Sequence, residues 1–454
     1  MTEHYDFGND WRVRGHLQAT RQAENPGDAP VLGADGMIPS KFINNAGWVY
    51  GIHFDPVAFK TDPEGCLDYI QDCSSYQPVK TSGTDTVDVG DWIKDDPFFE
   101  DCYYCTMNGD GDILHELDPN DLSKSVSGAD CSTEITENNV MFVIPKRFVK
   151  RNANSIIHSS MNAKGTALAH TRGDHVYNNL AIGVYPGTIV DGKLKSVSGV
   201  KATSSTAGAT FRADAIANNS DLEWHVWNWH EYQLYRDMVL FACKDFNVQA
   251  AIGKGQCNAG NNAGVWQNNG ALNASGMFAG DISATNKPVK AILENVWGQL
   301  WQLVDDCVLP AYRTDSTDPE NLLYFQDFYA GTNDNANVTD DTTKKDLIAS
   351  IPVPSNRLSS GGWVYSKTID TSDKGWGLPA DMEGGDSVGL CDGHYMNASA
   401  LHAIRVGGGS VDGLNDGLSA LNLNNALSNS NWNYGARLDF PNDDQRKDMN
   451  SQSL

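Results

Sequence analysis

Apolar and polar positions alternate over short stretches of this chain, separated by clusters of Gly, Asp, Asn and Pro. That pattern predicts many short strands rather than long helices. Trp48-Val49-Tyr50-Gly51-Ile52-His53-Phe54 is β-branched and aromatic and predicts one strand. Val140-Met141-Phe142-Val143-Ile144 predicts another, closed by Pro145. Asp191-Gly192 predicts a two-residue hairpin between 188–190 and a returning strand over 193–197. One strong helix is predicted over 229–246, where Trp229, Tyr232, Tyr235, Val239, Cys243 and Phe246 form a stripe against a core. Trp297, Leu300, Trp301 and Val304 fall at i, i+3, i+4 and i+7 and favour a second helix, weakened by Gly298. The two tryptophans there could mimic a carbohydrate platform, but a helical stripe would give both rings a buried face.

These elements fall into three segments. Residues 1–45 are polar and carry the breaker-rich run Asn25-Pro26-Gly27-Asp28-Ala29-Pro30, so this segment should dock onto something larger rather than fold alone. Residues 46–155 read as a small mainly-β domain, and 156–454 as a second, α+β domain rich in Gly and Asn loops. Two of those loops, 258–264 and 331–337, are nearly low-complexity.

Composition narrows the function. The 454 residues are 40% hydrophobic, enough for buried cores in two or three domains. A net charge of −25 without a basic stripe argues against nucleic-acid binding. No stretch approaches about 20 apolar residues, so no membrane insertion is expected. Residues 1–6 carry neither a basic region nor an apolar core, so no cleaved secretory signal is expected. The nine cysteines are odd in number and irregularly spaced, which fits reduced thiols. Cys102 and Cys105 make a lone C-x-x-C without a second pair at zinc-ribbon spacing.

Asn108-Gly109-Asp110-Gly111-Asp112 invites a calcium-loop reading, but Ile113 and Pro119 stand where that loop needs Gly and Glu, and a hairpin turn is expected instead. His225 and His230 lack the spacing of a zinc-protease helix and read as structural histidines. No nucleophile elbow, P-loop or dinucleotide fingerprint occurs, and no carboxylate pair stands out. The chain is therefore expected not to be an enzyme and to need no cofactor, with room for a structural calcium or other ion.

The most informative region is 404–437, with Gly407-Gly408-Gly409-Ser410, an Asn-rich stretch over 422–433 and Gly435-Ala436-Arg437. Gly and Asn support tight turns, which suits the display of side chains to a partner. Glu294-Asn295-Val296-Trp297-Gly298-Gln299-Leu300-Trp301 resembles the signature of the formylglycine-generating-enzyme type of C-type lectin fold. Gly407 to Ser410 with Gly435 to Arg437 is similar to that fold's closing segment, and 424–433 resembles variable proteins of diversity-generating retroelements, bacteriophage tail receptor-binding proteins among them. Upstream, 50–55, 117–122 and 143–146 look like the β-domain of phage tail proteins, and 191–199 and 249–255 like the lectin domain that follows it. The resemblance covers about residues 46–440.

What the resemblance implies is a homotrimeric tail-fibre or tail-tip adhesin in the virion. Residues 1–45 would attach to other tail proteins, and a C-type lectin-like domain over 156–454 would bind a host cell-surface receptor, protein or glycan. Enzymes of this fold need reactive cysteines in the C-terminal half, where only Cys391 follows Cys307, so their activity is not implied. Retroelement mutagenesis alters adenines, and one AAC codon can become Asp, Gly, Ser, Val or Leu by adenine changes alone. Gly409, Ser410, Val411, Asp412, Leu414, Asp416, Leu418 and Ser419 are reachable that way. With Asn415 and Tyr434 they form the expected exposed receptor-binding patch. The Asn-rich stretch would be scaffold, with Trp432 packed in the core. The alternatives are a lectin-fold enzyme acting on host glycan or protein, and a purely structural virion component.

Overall fold

A computed structural model describes residues 47–62, 65–82, 86–315, 322–332, 342–383 and 392–443. The expected attachment segment 1–45, most of the loop 331–337 and Cys391 lie outside the described residues. The described chain is rich in β-structure, built on a four-stranded, a seven-stranded and a ten-stranded sheet with several small hairpins.

The predicted hairpins form for the expected reasons. Tyr103–Met107 and Ile113–Asp118 pair antiparallel around the turn at 108–112. There the Asn108 side-chain oxygen accepts from the amides of Asp110 and Asp112, both at 2.9 Å. Thr188–Val190 and Lys193–Lys195 pair across Asp191 and Gly192, whose φ values of 52° and 71° are those of the tight two-residue turn that matches strand twist.

The seven-stranded sheet runs in the order His225–Val226, Leu438–Asn442, Asn179–Gly183, Asn139–Pro145, Tyr103–Met107, Ile113–Asp118, Asp121–Ser125. This corrects the expected division near residue 155. Strands from both sides of it share one sheet, and one continuous apolar core runs from Tyr50 to Phe440. The four-stranded sheet also crosses the boundary, since Ser155–Ser159 pairs with Val49–Phe54. The physical reason is that Asn139–Pro145, buried along nearly its whole length, needs Asn179–Gly183 to satisfy its outer backbone groups.

The strong helix is Trp229–Cys243, ended by Lys244 in the left-handed region. Its start is a reciprocal cap: Asn228 accepts from the Glu231 amide, and the Glu231 carboxylate accepts from the Asn228 amide. All fifteen residues are buried, so the helix has no solvent face. Its charged side chains at 231, 236 and 237 meet partners. Arg236 donates to the Trp376 carbonyl, Asp237 pairs with Arg151, and Glu231 pairs with Arg172.

The second predicted helix does not form. Asn295 and Gly298 take positive φ (50° and 81°) and turn the chain, and Trp301–Leu309 follows as a strand buried at every position. A strand covered on both faces satisfies any apolar spacing, so the helical period there was coincidental. Trp297 and Trp301 are both buried, which places them in the core and removes the carbohydrate-platform reading. Trp301–Leu309 sits inside the ten-stranded sheet beside His402–Gly407, which pairs in turn with Gly417–Asn425.

Arg437 ties these sheets together. It is fully buried. Its guanidinium donates to the carbonyls of Gly183, Val184 and Glu294 and to the Gln302 side-chain oxygen, at 2.8–2.9 Å. Burial pushes its pKa down to about 9, so it stays charged at neutral pH. Removing it would take a donor from four buried acceptors at once; the Val184 carbonyl keeps the Glu294 amide, and each acceptor left unsatisfied costs about 1–3 kcal/mol. Arg437→Ala is therefore expected to lower the thermal unfolding midpoint by several degrees, and Arg437→Lys to recover only part of the loss because one ammonium cannot reach all four acceptors. Calorimetry on the three proteins checks this.

Candidate functional site

The segment joining His402–Gly407 to Gly417–Asn425 carries most of the expected receptor-binding residues. It leaves the sheet through Gly407 and Gly408, at φ of 93° and 89°. A side chain at Gly407 would meet the Val296 carbonyl at 2.0 Å, so glycine is required there on both counts.

The structure divides the expected patch in two. Val411 and Leu414 are exposed, at 44% and 66%, while Asp412 and Asn415 are partly exposed. Gly409, Ser410, Asp416, Leu418, Ser419 and Tyr434 are buried, which corrects their expected place on the surface. Each has a physical reason to be inside. The Ser410 hydroxyl donates to the Gly260 carbonyl at 2.8 Å and accepts from the Trp266 indole at 3.0 Å. Gly409 offers one N–H to both Asp412 and Asp416, at 2.9 and 3.0 Å. Leu418 joins the main core, and the Ser419 amide donates to Asp392 at 2.6 Å. Tyr434 lies under the Arg405 guanidinium, 4.2 Å from its ring centre. Trp432 is only partly buried, packed beside Trp266 rather than in the main core.

Three carboxyls support this loop from within. Burial pushes Asp412 up to about 6 and Asp392 up to about 8. Asp416 is raised well above the carboxylate range by burial and then by the neighbouring Asp412 charge. One Asp416 oxygen has no partner among the described residues. Burial favours the neutral form of this carboxyl, which needs no counter-charge inside.

Sequence reasoning missed the aromatic side chains beside the loop. Tyr365 donates to the Asn415 side-chain oxygen at 2.7 Å. Trp363 and Tyr395, both half-buried, meet edge to face at 5.2 Å. Trp363 and Asn415 both crowd Gly393, so ring and loop share one neighbourhood. Trp363-Val364-Tyr365 has the aromatic and β-branched character of a strand, but nothing in the sequence says that it lies next to residue 415. The resulting surface offers two exposed aliphatic groups, an amide and aromatic edges, which suits non-covalent recognition. A Ser–His contact, Ser366 with His394 at 2.8 Å, is fully enclosed, and burial holds the histidine neutral with a pKa near 3. His225 and His230 are both buried. Among the described residues no helix is long and apolar enough to cross a membrane.

No protein-family model and no curated protein matches the chain. Among solved structures, one described as "Major Tropism Determinant U1 Variant" is similar at 15% identity, over 80% of this chain and 73% of that one, with a TM-score of 0.24. An overlap of that size does not establish a shared fold.

The raised Asp412 pKa has a consequence for stability. An unfolded Asp titrates near 4, so the folded loop holds this proton more tightly than the unfolded chain. The stabilisation is complete below about pH 4 and is lost as pH rises through about 6. Asp412→Asn keeps an acceptor for the Gly409 amide and cannot ionise. Its unfolding midpoint relative to the parent is expected to rise between pH 4 and pH 7, and a flat difference across that range would refute the assignment.

Proposed function

We propose that this chain is a phage tail-fibre or tail-tip adhesin and that the 409–419 loop presents its receptor-contacting tip. The observation that supports this is the split within the loop: Val411 and Leu414 face solvent, while Ser410, Asp416, Leu418 and Ser419 anchor the backbone beneath them. A firmly held loop with apolar tips loses little entropy on binding. The contact set is therefore Val411, Asp412, Leu414 and Asn415, rimmed by Trp363 and Tyr395. The apolar tips favour a protein receptor over a glycan. The lectin-like character of 156–454, the trimer, the attachment through 1–45 and the place in the virion belong to the same proposal, supported by the motif resemblance. Weak single sites would gain strength in a trimer through high effective concentration.

Adsorption of virions carrying the chain to bacteria that support their growth tests the reading. Val411→Asp and Leu414→Asp are expected to reduce adsorption about tenfold each, the effect of losing about 1.4 kcal/mol per contact. Val57→Asp, at another exposed valine, should leave it unchanged. A purely structural component would show no difference among the three, and an enzyme would release product from host glycan or protein. Sequencing of codons 400–440 in a propagated population gives a second check. Adenine-derived changes should concentrate at 411, 412, 414 and 415 and avoid the buried 416, 418 and 419.

A further inference from the structure

A second cluster lies in the seven-stranded sheet, apart from the 409–419 loop. His115 stands on Ile113–Asp118, opposite Thr106 on the neighbouring strand. The chain then forms Asp121–Ser125 and doubles back, so that the Cys131 amide donates to the Ser123 carbonyl at 2.8 Å. Cys131 leads into the short helix Glu134–Glu137, its carbonyl accepting from the Ile135 amide at 3.0 Å. The result brings an imidazole nitrogen, a thiol sulfur and a carboxylate oxygen together, all within 4.8 Å of one another.

We propose that His115, Cys131 and Glu134 form a binding site for a zinc-type divalent ion, with a fourth position open to solvent. Nitrogen, sulfur and oxygen donors together suit a borderline ion such as Zn²⁺ better than Mg²⁺ or Ca²⁺, which prefer oxygen alone. Bond lengths of about 2.0–2.3 Å place tetrahedral ligands roughly 3.3–3.8 Å apart, a spacing these side chains reach by small rotations. His115 Nδ1 and Glu134 Oε2 now share a hydrogen bond of 2.7 Å and would part by less than about 1 Å to admit the ion. A thiolate and a carboxylate supply two negative charges, which match a divalent cation with a neutral imidazole.

The surroundings fit a held ligand set. The second Glu134 oxygen accepts from the Thr106 hydroxyl, which fixes the carboxylate plane. The same hydroxyl oxygen accepts from the His115 amide at 3.2 Å. Such outer contacts orient metal ligands. Cys131 is buried while the His115 side chain is 45% exposed, so an ion has a path from solvent and keeps one face toward it. Binding would cross-link the hairpin to the 131–137 segment at the edge of the sheet.

The test uses the full chain, purified in reductant after chelator treatment and titrated with Co²⁺. One equivalent is expected to bind, with a near-ultraviolet thiolate-to-metal band and visible bands of tetrahedral intensity, all displaced by Zn²⁺. Cys131→Ser should abolish the thiolate band. His115→Ala and Glu134→Gln should each weaken Co²⁺ affinity at least tenfold, and Zn²⁺ should raise the unfolding midpoint of the parent alone. Failure of the parent to bind Co²⁺, or a thiolate band that survives Cys131→Ser, would overturn the proposal. Should Cys131→Ser fail to fold, His115→Ala at its half-exposed position decides alone, and unchanged affinity there refutes the site.

Discussion

The burial of a single guanidinium sets the terms for the rest of this structure. Arg437 lies between the seven-stranded sheet, through the Gly183 and Val184 carbonyls, and the chain that enters the ten-stranded sheet, through Glu294 and Gln302. A buried charge is tolerated only where hydrogen bonds replace its hydration. The four acceptors must therefore be held at fixed positions, and that requirement couples two sheets whose strands come from distant parts of the chain. The Trp227 ring, 5.3 Å from the guanidinium, covers one face. The same logic governs the enclosed helix, where Arg151, Arg172 and Arg236 meet partners on or beside it.

The loop at 409–419 uses the opposite device. Ser410 and Asp416 turn inward while Val411 and Leu414 face solvent, the reverse of an ordinary surface turn. Asp412 and Asp416 converge on the Gly409 N–H, and Ser410 binds both the Gly260 carbonyl and Trp266. The carboxyls stand this arrangement because burial favours their neutral forms. The loop is thereby fixed from below without using Val411 or Leu414, which leaves those two positions free to change without loss of the scaffold.

The His115 cluster shows how sheet topology creates chemistry from unremarkable sequence. His115, Cys131 and Glu134 have no recognised metal spacing, because a strand, a turn and a short helix start intervene. Their convergence depends on the strand at Asp121–Ser125 doubling back, a long-range decision that no local motif reports.

By itself the sequence determined the local features: the turns at Asn108 and Asp191–Gly192, the strands 48–54 and 140–144, and the helix starting at Trp229. Each of these rests on backbone preference or on a side chain bonding within a few residues, so it is written in neighbouring positions. It also marked 404–437 as the region to examine. Only the tertiary structure decided that 294–304 is a turn and a strand, that no boundary falls at 155, and which of residues 409–419 face solvent. Those outcomes depend on what covers each face. Ser410 is inside because Gly260 and Trp266 are there to bind it, and Asn415 meets Tyr365 across fifty residues of chain. Partners so far apart in sequence leave no local pattern to read.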